Sequence, residues 1–249
     1  MNKNLIYIVS IDHPASTYKT SDYSGYSINT WKYWCNKHNV DLIVNQDHDS
    51  RFGYPIWNKE LVYQKAKDYD KIGVIDCDTM IHWDAPNIFD MYDDEFCGVV
   101  DIANLNWVYN SLKNYGKYFD GVEVDIDEYI NAGVLFFTKE HLSLFENVLN
   151  FYLKNKDELD AWNKGGGKEQ TIVNYQLKIE GFKRKFLSQS WNLLSMHKKQ
   201  MFVHNWQLNE DSTPFFVKYG YIWHFTGFPV SDRVKLMKQT WQLFGDRYK

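Results

Sequence analysis

Cysteine is scarce. Cys35, Cys77 and Cys97 are the only three in 249 residues, and no two are spaced as a CxxC pair. That excludes a zinc knot or a dithiol redox motif and fits a reducing compartment. No apolar run approaches the ~18 residues that a membrane-spanning helix needs. The opening stretch MNKNLIYIVSIDH holds too short an apolar segment for a signal peptide, so a cytoplasmic protein is expected. Positive charge is not in excess: 28 Lys and Arg against 32 Asp and Glu give a net charge of -4. Binding to nucleic acid is therefore not expected, because phosphate recognition needs clustered basic side chains. The short basic clusters at 183–185 and 198–199 read as solvated faces. Internal repeats and low-complexity linkers are lacking too, so a single domain over 1–249 is expected.

What is present is a globular composition, 44% apolar and 24% charged, which calls for a packed core. Aromatic residues reach 18%, with 18 Tyr and 10 Trp. Rings in such number either fill a core or line a cleft where they stack on bases and sugar faces, and the two readings are compatible.

Short, continuously apolar runs at 5–10, 40–44, 71–76, 96–100 and 130–138 read as buried strands. Between and after them, helical spacing predicts helices over 24–38, 55–68, 141–154, 168–180 and 231–244. This alternation implies an α/β fold with a parallel sheet and helices on both faces. Residues 104–127 read as loops and short helices over one end of the sheet, 165–167 as a glycine loop, and 219–225 as a late strand.

The strongest local signal is Asp76-Cys77-Asp78, at the end of the apolar run KIGVID. Ligands of open α/β sheets bind beyond the carboxyl ends of the strands. Two carboxylates brought together there repel each other unless a cation lies between them. A hard divalent ion meets that need and can also bind phosphate oxygens. The rival reading is a strand end with two solvated acids. His224, in YIWHF, is either a half-buried structural histidine or an imidazole ligand of the kind manganese-class metals accept beside carboxylates. Gly227 follows and permits close approach of backbone to phosphate. Asn131-Ala132-Gly133 opens a strand with small residues, against which a ligand can lie, or is a plain turn. Glu169-Gln170 stands at the start of a helix, where an acid also serves as a simple cap.

Taken in order, YDKIGVIDCDTMI, YINAGVLFFTKEH, KEQTIVNYQL, SQSWNLL and YIWHFTG resemble the retaining family 8 glycosyltransferases, the group that contains glycogenin and the bacterial lipopolysaccharide galactosyltransferases. The resemblance spans most of the chain. It implies a GT-A fold, a Rossmann-like mixed and mostly parallel sheet flanked by helices. The donor half would be about 1–103 and the acceptor and catalytic half about 104–249. It implies a divalent metal, Mn2+ or Mg2+, held by Asp76, Asp78 and His224. It places the nucleotide of a UDP-sugar near Ser10 and Asp12, a donor-contacting base at Lys59, and the donor sugar against Asn131, Ala132 and Gly133, with Asp101 and Gly227 also in the donor site. Glu169 and Gln170 would lie near the reacting carbon. Transfer of a hexose to a saccharide or other hydroxyl acceptor, with retention, is the activity implied.

Two departures stand out. Where the family's histidine motif continues to Lys-Pro-Trp, this chain has Val230 at the lysine position, and Arg233 and Lys235 lie off the spacing. The acid of the catalytic pair is Glu rather than Asp, one methylene longer. A non-catalytic nucleotide-sugar binder on the same fold is the nearest alternative. A haloacid-dehalogenase-like phosphatase is more distant: Met80 stands where that motif has Thr or Val, and Asp93-Asp94 would have to supply its later acidic pair.

Overall fold

A computed structural model describes residues 3–13, 19–161, 168–194 and 213–249. The glycine run 165–167 and the basic pair 198–199 lie outside these. The chain opens with β1 (Asn4–Val9), α1 (Ser21–His38) and β2 (Asp41–Asn45). A 3₁₀ turn (Pro55–Leu61) leads into a single turn of helix, α2 (Val62–Lys65). Then come β3 (Lys71–Asp76), β4 (Thr79–Ile81), β5 (Phe96–Val100), α3 (Leu105–Tyr115) and β6 (Ile130–Thr138). Helices α4 (Leu142–Lys154), α5 (Lys156–Ala161) and α6 (Lys168–Glu180) follow. The chain ends with β7 (Arg184–Phe186), α7 (Phe215–Tyr219), β8 (Ile222–His224) and α8 (Val230–Phe244).

Six strands form one sheet in the order β2-β1-β3-β6-β5-β7. Strands β2, β1 and β3 are parallel, and β5 and β7 are parallel, but β6 runs antiparallel to both β3 and β5. The sheet is therefore mixed, a correction to the purely parallel sheet that strand-helix alternation suggests. The cause is α3: the segment between β5 and β6 carries this helix and two 3₁₀ turns, yet returns the chain in the opposite direction. Strands β4 and β8 form a separate antiparallel pair.

Alternate residues of the central strands feed two cores. Leu5, Tyr7, Ile72, Val74, Leu135 and Phe137 pack with Leu144, Phe145 and Leu149 of α4 and Ile172 and Val173 of α6. Ile6, Ile8, Ile75, Val134 and Phe136 pack on Trp31 and Trp34 of α1. Helices thus cover both faces, as continuous apolar strands require. The aromatic excess mostly fills these cores: Trp31, Trp34, Trp57 and Trp223 are fully buried.

Two other expectations need correction. The helix at 55–68 is mostly 3₁₀ and stops at Lys65. The strand at 219–225 shrinks to Ile222–His224, because Phe215–Tyr219 is a helical turn and Gly220, with Trp223 Nε1 donating to its carbonyl at 2.9 Å, joins the two. No helix among the described residues is long and apolar enough to cross a membrane.

Candidate active site

The site forms where β3 ends. Register does the assembly. Pairing of Ile75 with Val134 brings Gly133 next to Asp76, and pairing of Thr79 with His224 brings the imidazole beside the Asp-x-Asp turn. Asp76, Asp78 and His224 each offer one ligand atom, and the three lie within 4.8 Å of one another. The turn at Cys77 resolves the difficulty that strand alternation poses for two acids at i and i+2.

The donor set suits a hard divalent cation, and two observations test the fit. A Cβ on Gly133 would lie 2.3 Å from His224 Cε1 and 2.7 Å from Asp76 Oδ2, so only glycine lets imidazole and carboxylate approach this closely. The second is the orientation of the imidazole. The backbone N–H of Gly133 donates to Asn131 Oδ1 at 2.9 Å, which fixes the Asn131 amide. Asn192 Nδ2 donates to that same oxygen at 3.0 Å, so Asn192 Oδ1 must be the atom facing His224 Nδ1 at 2.8 Å. An amide oxygen only accepts; Nδ1 therefore carries the hydrogen. Nε2 is left with its lone pair facing Asp78 Oδ1 at 3.1 Å, acceptor against acceptor. A cation or a proton between them removes the conflict. Ligating histidines are commonly oriented in this way through their other ring nitrogen.

Charge in the site is tightly paired. Lys59 Nζ is 2.7 Å from Asp76 Oδ1 and 3.0 Å from Glu169 Oε1, and it donates to the Ala132 carbonyl at 3.2 Å. Burial alone favours the neutral amine, but Asp76 and Glu169 outweigh it and hold the ammonium well above its ordinary pKa. Next to it, burial pushes the Glu60 carboxyl well above the usual carboxylate range, and its Oε2 has no hydrogen-bond partner. Burial would also raise Asp78, but Arg233 and then His224 hold its carboxyl well below the usual range. Arg233, in the first turn of α8, reaches Asp78 Oδ2 with Nη1 at 3.2 Å and donates from Nε to the Phe225 carbonyl at 3.0 Å.

Gln170 is held on three sides. Its Oε1 accepts from Asn131 Nδ2 and the Ala132 N–H, both at 3.0 Å, and its Nε2 donates to Asp101 Oδ2 at 3.0 Å. Asn131 Nδ2 also donates to Asp101 Oδ2, at 3.1 Å.

Two adjoining cavities meet at this centre. One, of about 470 Å³, has Asp101, Asn131, Gly133, Glu169, Gln170 and Trp107 among its lining residues, with Gly227 at φ 78° also on its wall. The other, of about 300 Å³, is lined by Val9, Ile11, Tyr23, Lys59, Asp78 and Arg233, among others. Asp76 lines both.

The structure thus gathers Asp76, Asp78, His224, Lys59, Asp101, Asn131, Gly133, Glu169, Gln170 and Gly227 at one centre, with the Ala132 backbone beside them. Ser10 and Asp12 are placed otherwise. Ser10 donates to Ser24 Oγ at 2.8 Å, and the Asp12 carboxylate accepts from the Ser21 backbone and hydroxyl, both at 2.9 Å. Both side chains serve α1, and at this strand end it is Val9 and Ile11 that face the smaller cavity. Sequence reasoning missed Asn192, although SQSWNLL lay in the matching stretches, and it missed how far Arg233 reaches.

No protein-family model matches the sequence, and no curated protein sequence does. Solved structures do match. A glycosyltransferase involved in the glycosylation of the major capsid of PBCV-1 is similar with a TM-score of 0.59 at 12% identity, covering 94% of this chain and 99% of that one. The bifunctional glycosyltransferase WbbM is similar at 0.56 and 18% identity, over 99% of this chain and 51% of that one, so the chain spans about half its length. The galactosyltransferase LgtC, in complex with donor and acceptor sugar analogues, is similar at 0.50 and 13% identity, over 96% of this chain and 99% of that one. At these identities the likeness establishes the architecture, a GT-A glycosyltransferase fold.

Proposed function

We propose that the protein transfers a hexosyl group from a UDP-sugar to the hydroxyl of a saccharide acceptor, with retention of configuration. The observation that carries this reading is Asp76, a metal-ligand candidate that lines both cavities. A diphosphate at Asp76 and Asp78 would have its nucleoside in the smaller cavity and its sugar in the larger. Residues 1–103 then supply most of the nucleotide side, and 104–249 most of the sugar and acceptor side, with His224 closing the metal site from the second half. Mn2+ or Mg2+, held by Asp76, Asp78 and His224, would neutralise charge on the departing diphosphate.

The protein's own groups supply position. Asn131, Gly133 and Gln170 line the larger cavity, and Lys59 fixes the Glu169 carboxylate, whose remaining capacity is to accept from a sugar hydroxyl. Gln170 has no basicity and lacks the character of a strong nucleophile. Attack from the side of the leaving group therefore fits: the bond from the anomeric carbon to phosphate oxygen breaks, the bond to the acceptor oxygen forms on the same face, and the acceptor proton passes to the leaving phosphate. Asp93 and Asp94 precede β5, at the opposite end of the sheet from Asp76, and Asp94 pairs with Lys183 at 2.9 Å. That disposition weighs against a phosphatase.

The test is release of UDP from a panel of UDP-hexoses with Mn2+ and candidate saccharides. UDP release is the expected outcome, lost in Asp78→Asn and His224→Ala. Phosphate release from an aryl phosphate, or tight binding without turnover of any donor, would overturn it.

A further inference from the structure

Asp78 has two oxygens, and each already faces a basic group. Oδ1 faces His224 Nε2 at 3.1 Å, and Oδ2 faces Arg233 Nη1 at 3.2 Å. The guanidinium is well fixed. Its Nε donates to the Phe225 carbonyl at 3.0 Å, its side chain is only 17% exposed, and it lies 5.5 Å from the Tyr23 ring centre. Phe225 directly follows His224, so Arg233 is tied both to a candidate ligand and to the residue next to the other. Asp76, the third candidate ligand, is paired in a similar way with Lys59. The free protein therefore carries its own cations at the place where a divalent ion would bind.

We infer that Arg233 couples the binding of the divalent ion to that of the nucleoside diphosphate, by weakening the first when it occurs alone and favouring the two together. This inference rests on the reading of the site proposed above. The argument is one of charge. With Arg233 on Asp78, part of the carboxylate's negative charge is already answered, and a fixed positive charge repels any ion that arrives. The site is partly buried, so bulk salt screens this repulsion poorly. A diphosphate changes the balance. It brings negative charge into the cavity that Arg233 lines together with Asp76, Asp78 and Lys59. Arg233 then has a second anion to answer, and Asp78 is released in part to the metal. Each ligand improves the site for the other, and by linkage the factor is the same in both directions.

The sequence position suits this role. Arg233 follows Pro229 and lies on the first turn of α8, and its own N–H bonds the Pro229 carbonyl at 3.0 Å. The arginine is thus presented from a rigid helix start, so its charge does not depend on closure of a loop. A bland alternative is that Arg233 only balances Asp78 in the folded protein. The two differ in sign. Loss of a merely structural arginine loosens the site and weakens every ligand. Loss of a competing cation strengthens metal binding while it weakens the nucleotide.

Calorimetric titration of wild type, Arg233→Gln and Arg233→Lys tests this without any transfer assay. Gln keeps a donor for Phe225 without charge; Lys keeps the charge. Mn2+ alone, UDP alone in chelator, and UDP in saturating Mn2+ are measured for each. Arg233→Gln is expected to bind Mn2+ alone about tenfold more tightly, as loss of one nearby unit charge implies. It should bind UDP in Mn2+ about tenfold more weakly, so that the enhancement of UDP by Mn2+ shrinks. Arg233→Lys should stay within a few-fold of wild type in both. Unchanged or weaker Mn2+ binding by a folded Arg233→Gln overturns the inference. If Gln does not fold, loss of the Mn2+ enhancement of UDP in the folded Lys variant would likewise overturn it. Absence of Mn2+ binding by the wild type, with and without UDP, would instead remove the metal reading itself.

Discussion

Lys59 and Glu169 form an ion pair at 3.0 Å with side chains only 5% and 6% exposed. The same ammonium serves Asp76 at 2.7 Å, so one lysine neutralises two acids. Removing it leaves Glu169 charged and buried. We expect Lys59→Met to cost about 3 kcal/mol, the usual scale for breaking a buried pair by deleting one partner. Lys59→Met combined with Glu169→Gln should recover a good part, because no uncompensated Glu169 charge remains. Urea melts of the two singles and the double measure this. A Lys59→Met protein as stable as the wild type would show that the pair contributes nothing.

Glu60, beside that pair, should give stability an unusual pH dependence. Its carboxyl is raised by burial, so the folded protein keeps the proton longer than the unfolded chain does. The unfolded chain ionises near pH ~4.3, and above that value ionisation favours unfolding. Stability attributable to Glu60 is therefore lost as pH rises. Glu60→Gln removes this term. Its melting temperature relative to wild type should rise between pH 4 and pH 7, each kcal/mol of difference appearing as ~2–4 °C in a chain of this size. A constant offset across that range would mean that Glu60 is charged in the folded protein.

Much of this site was legible in the sequence because strand register is a local property. Continuous apolar runs gave β3 and β6 to the residue, and Asp76 and Gly133 follow from where those runs end and begin. What stayed hidden depends on chain reversal. The three residues of β4 carry no periodicity of their own and become a strand only by pairing with β8. Asn192 sits after a short 3₁₀ turn, and its role exists only because Asn131 and His224 converge on it from distant positions. Arg233 falls off the expected spacing in sequence, yet the helix that begins at Val230 turns its side chain back onto Asp78. Spacing along the chain does not report that turn. Ser10 and Asp12 erred by alternation: the correct strand end, but the residues that face α1.

Gly133→Ala is a direct test of the metal centre. The added methyl would meet His224 Cε1 at 2.3 Å and Asp76 Oδ2 at 2.7 Å. Gly133 is not among the residues with positive φ, so the backbone itself tolerates alanine. We expect a folded protein whose Mn2+ binding, in the presence of UDP, falls at least tenfold by calorimetry. Unaltered binding would place the ion elsewhere.

Trp107 offers a handle on the acceptor. It lies on the first turn of α3, half-buried, with its ring edge-on to Tyr129 at 6.5 Å, and it lines the larger cavity opposite the metal side. A ring fixed in this way presents a face on which a pyranose can stack. Trp107→Ala should raise the KM for a saccharide acceptor about tenfold, in line with the energy of a stacked ring, and leave hydrolysis of the donor alone unchanged. Trp107→Phe should retain most of the acceptor affinity. Equal loss of acceptor-independent UDP release in the alanine variant would assign Trp107 to the donor or to the fold.

Gln170 carries the stereochemical prediction. Its carbonyl oxygen accepts from Asn131 and Ala132, and its amide donates to Asp101, so the side chain has no freedom to swing toward a substrate. It acts, if the proposed reaction is right, as a fixed dipole. An oxygen already taking two hydrogen bonds can still face the positive charge that develops at the anomeric carbon, and it needs no rearrangement to do so. Asp101 is the nearest carboxylate that might instead serve as a base for inversion, but it is engaged by Gln170, Asn131 and the Ala103 N–H. Gln170→Ala should therefore lower turnover by ~10²-fold, the scale for losing one well-aimed electrostatic group, while the affinity for UDP changes little. The anomeric configuration of the product, read by proton NMR, decides the rest. An α-linked product from an α-linked UDP-hexose is expected. A β-linked product would make Asp101 the base and remove Gln170 from the chemistry altogether.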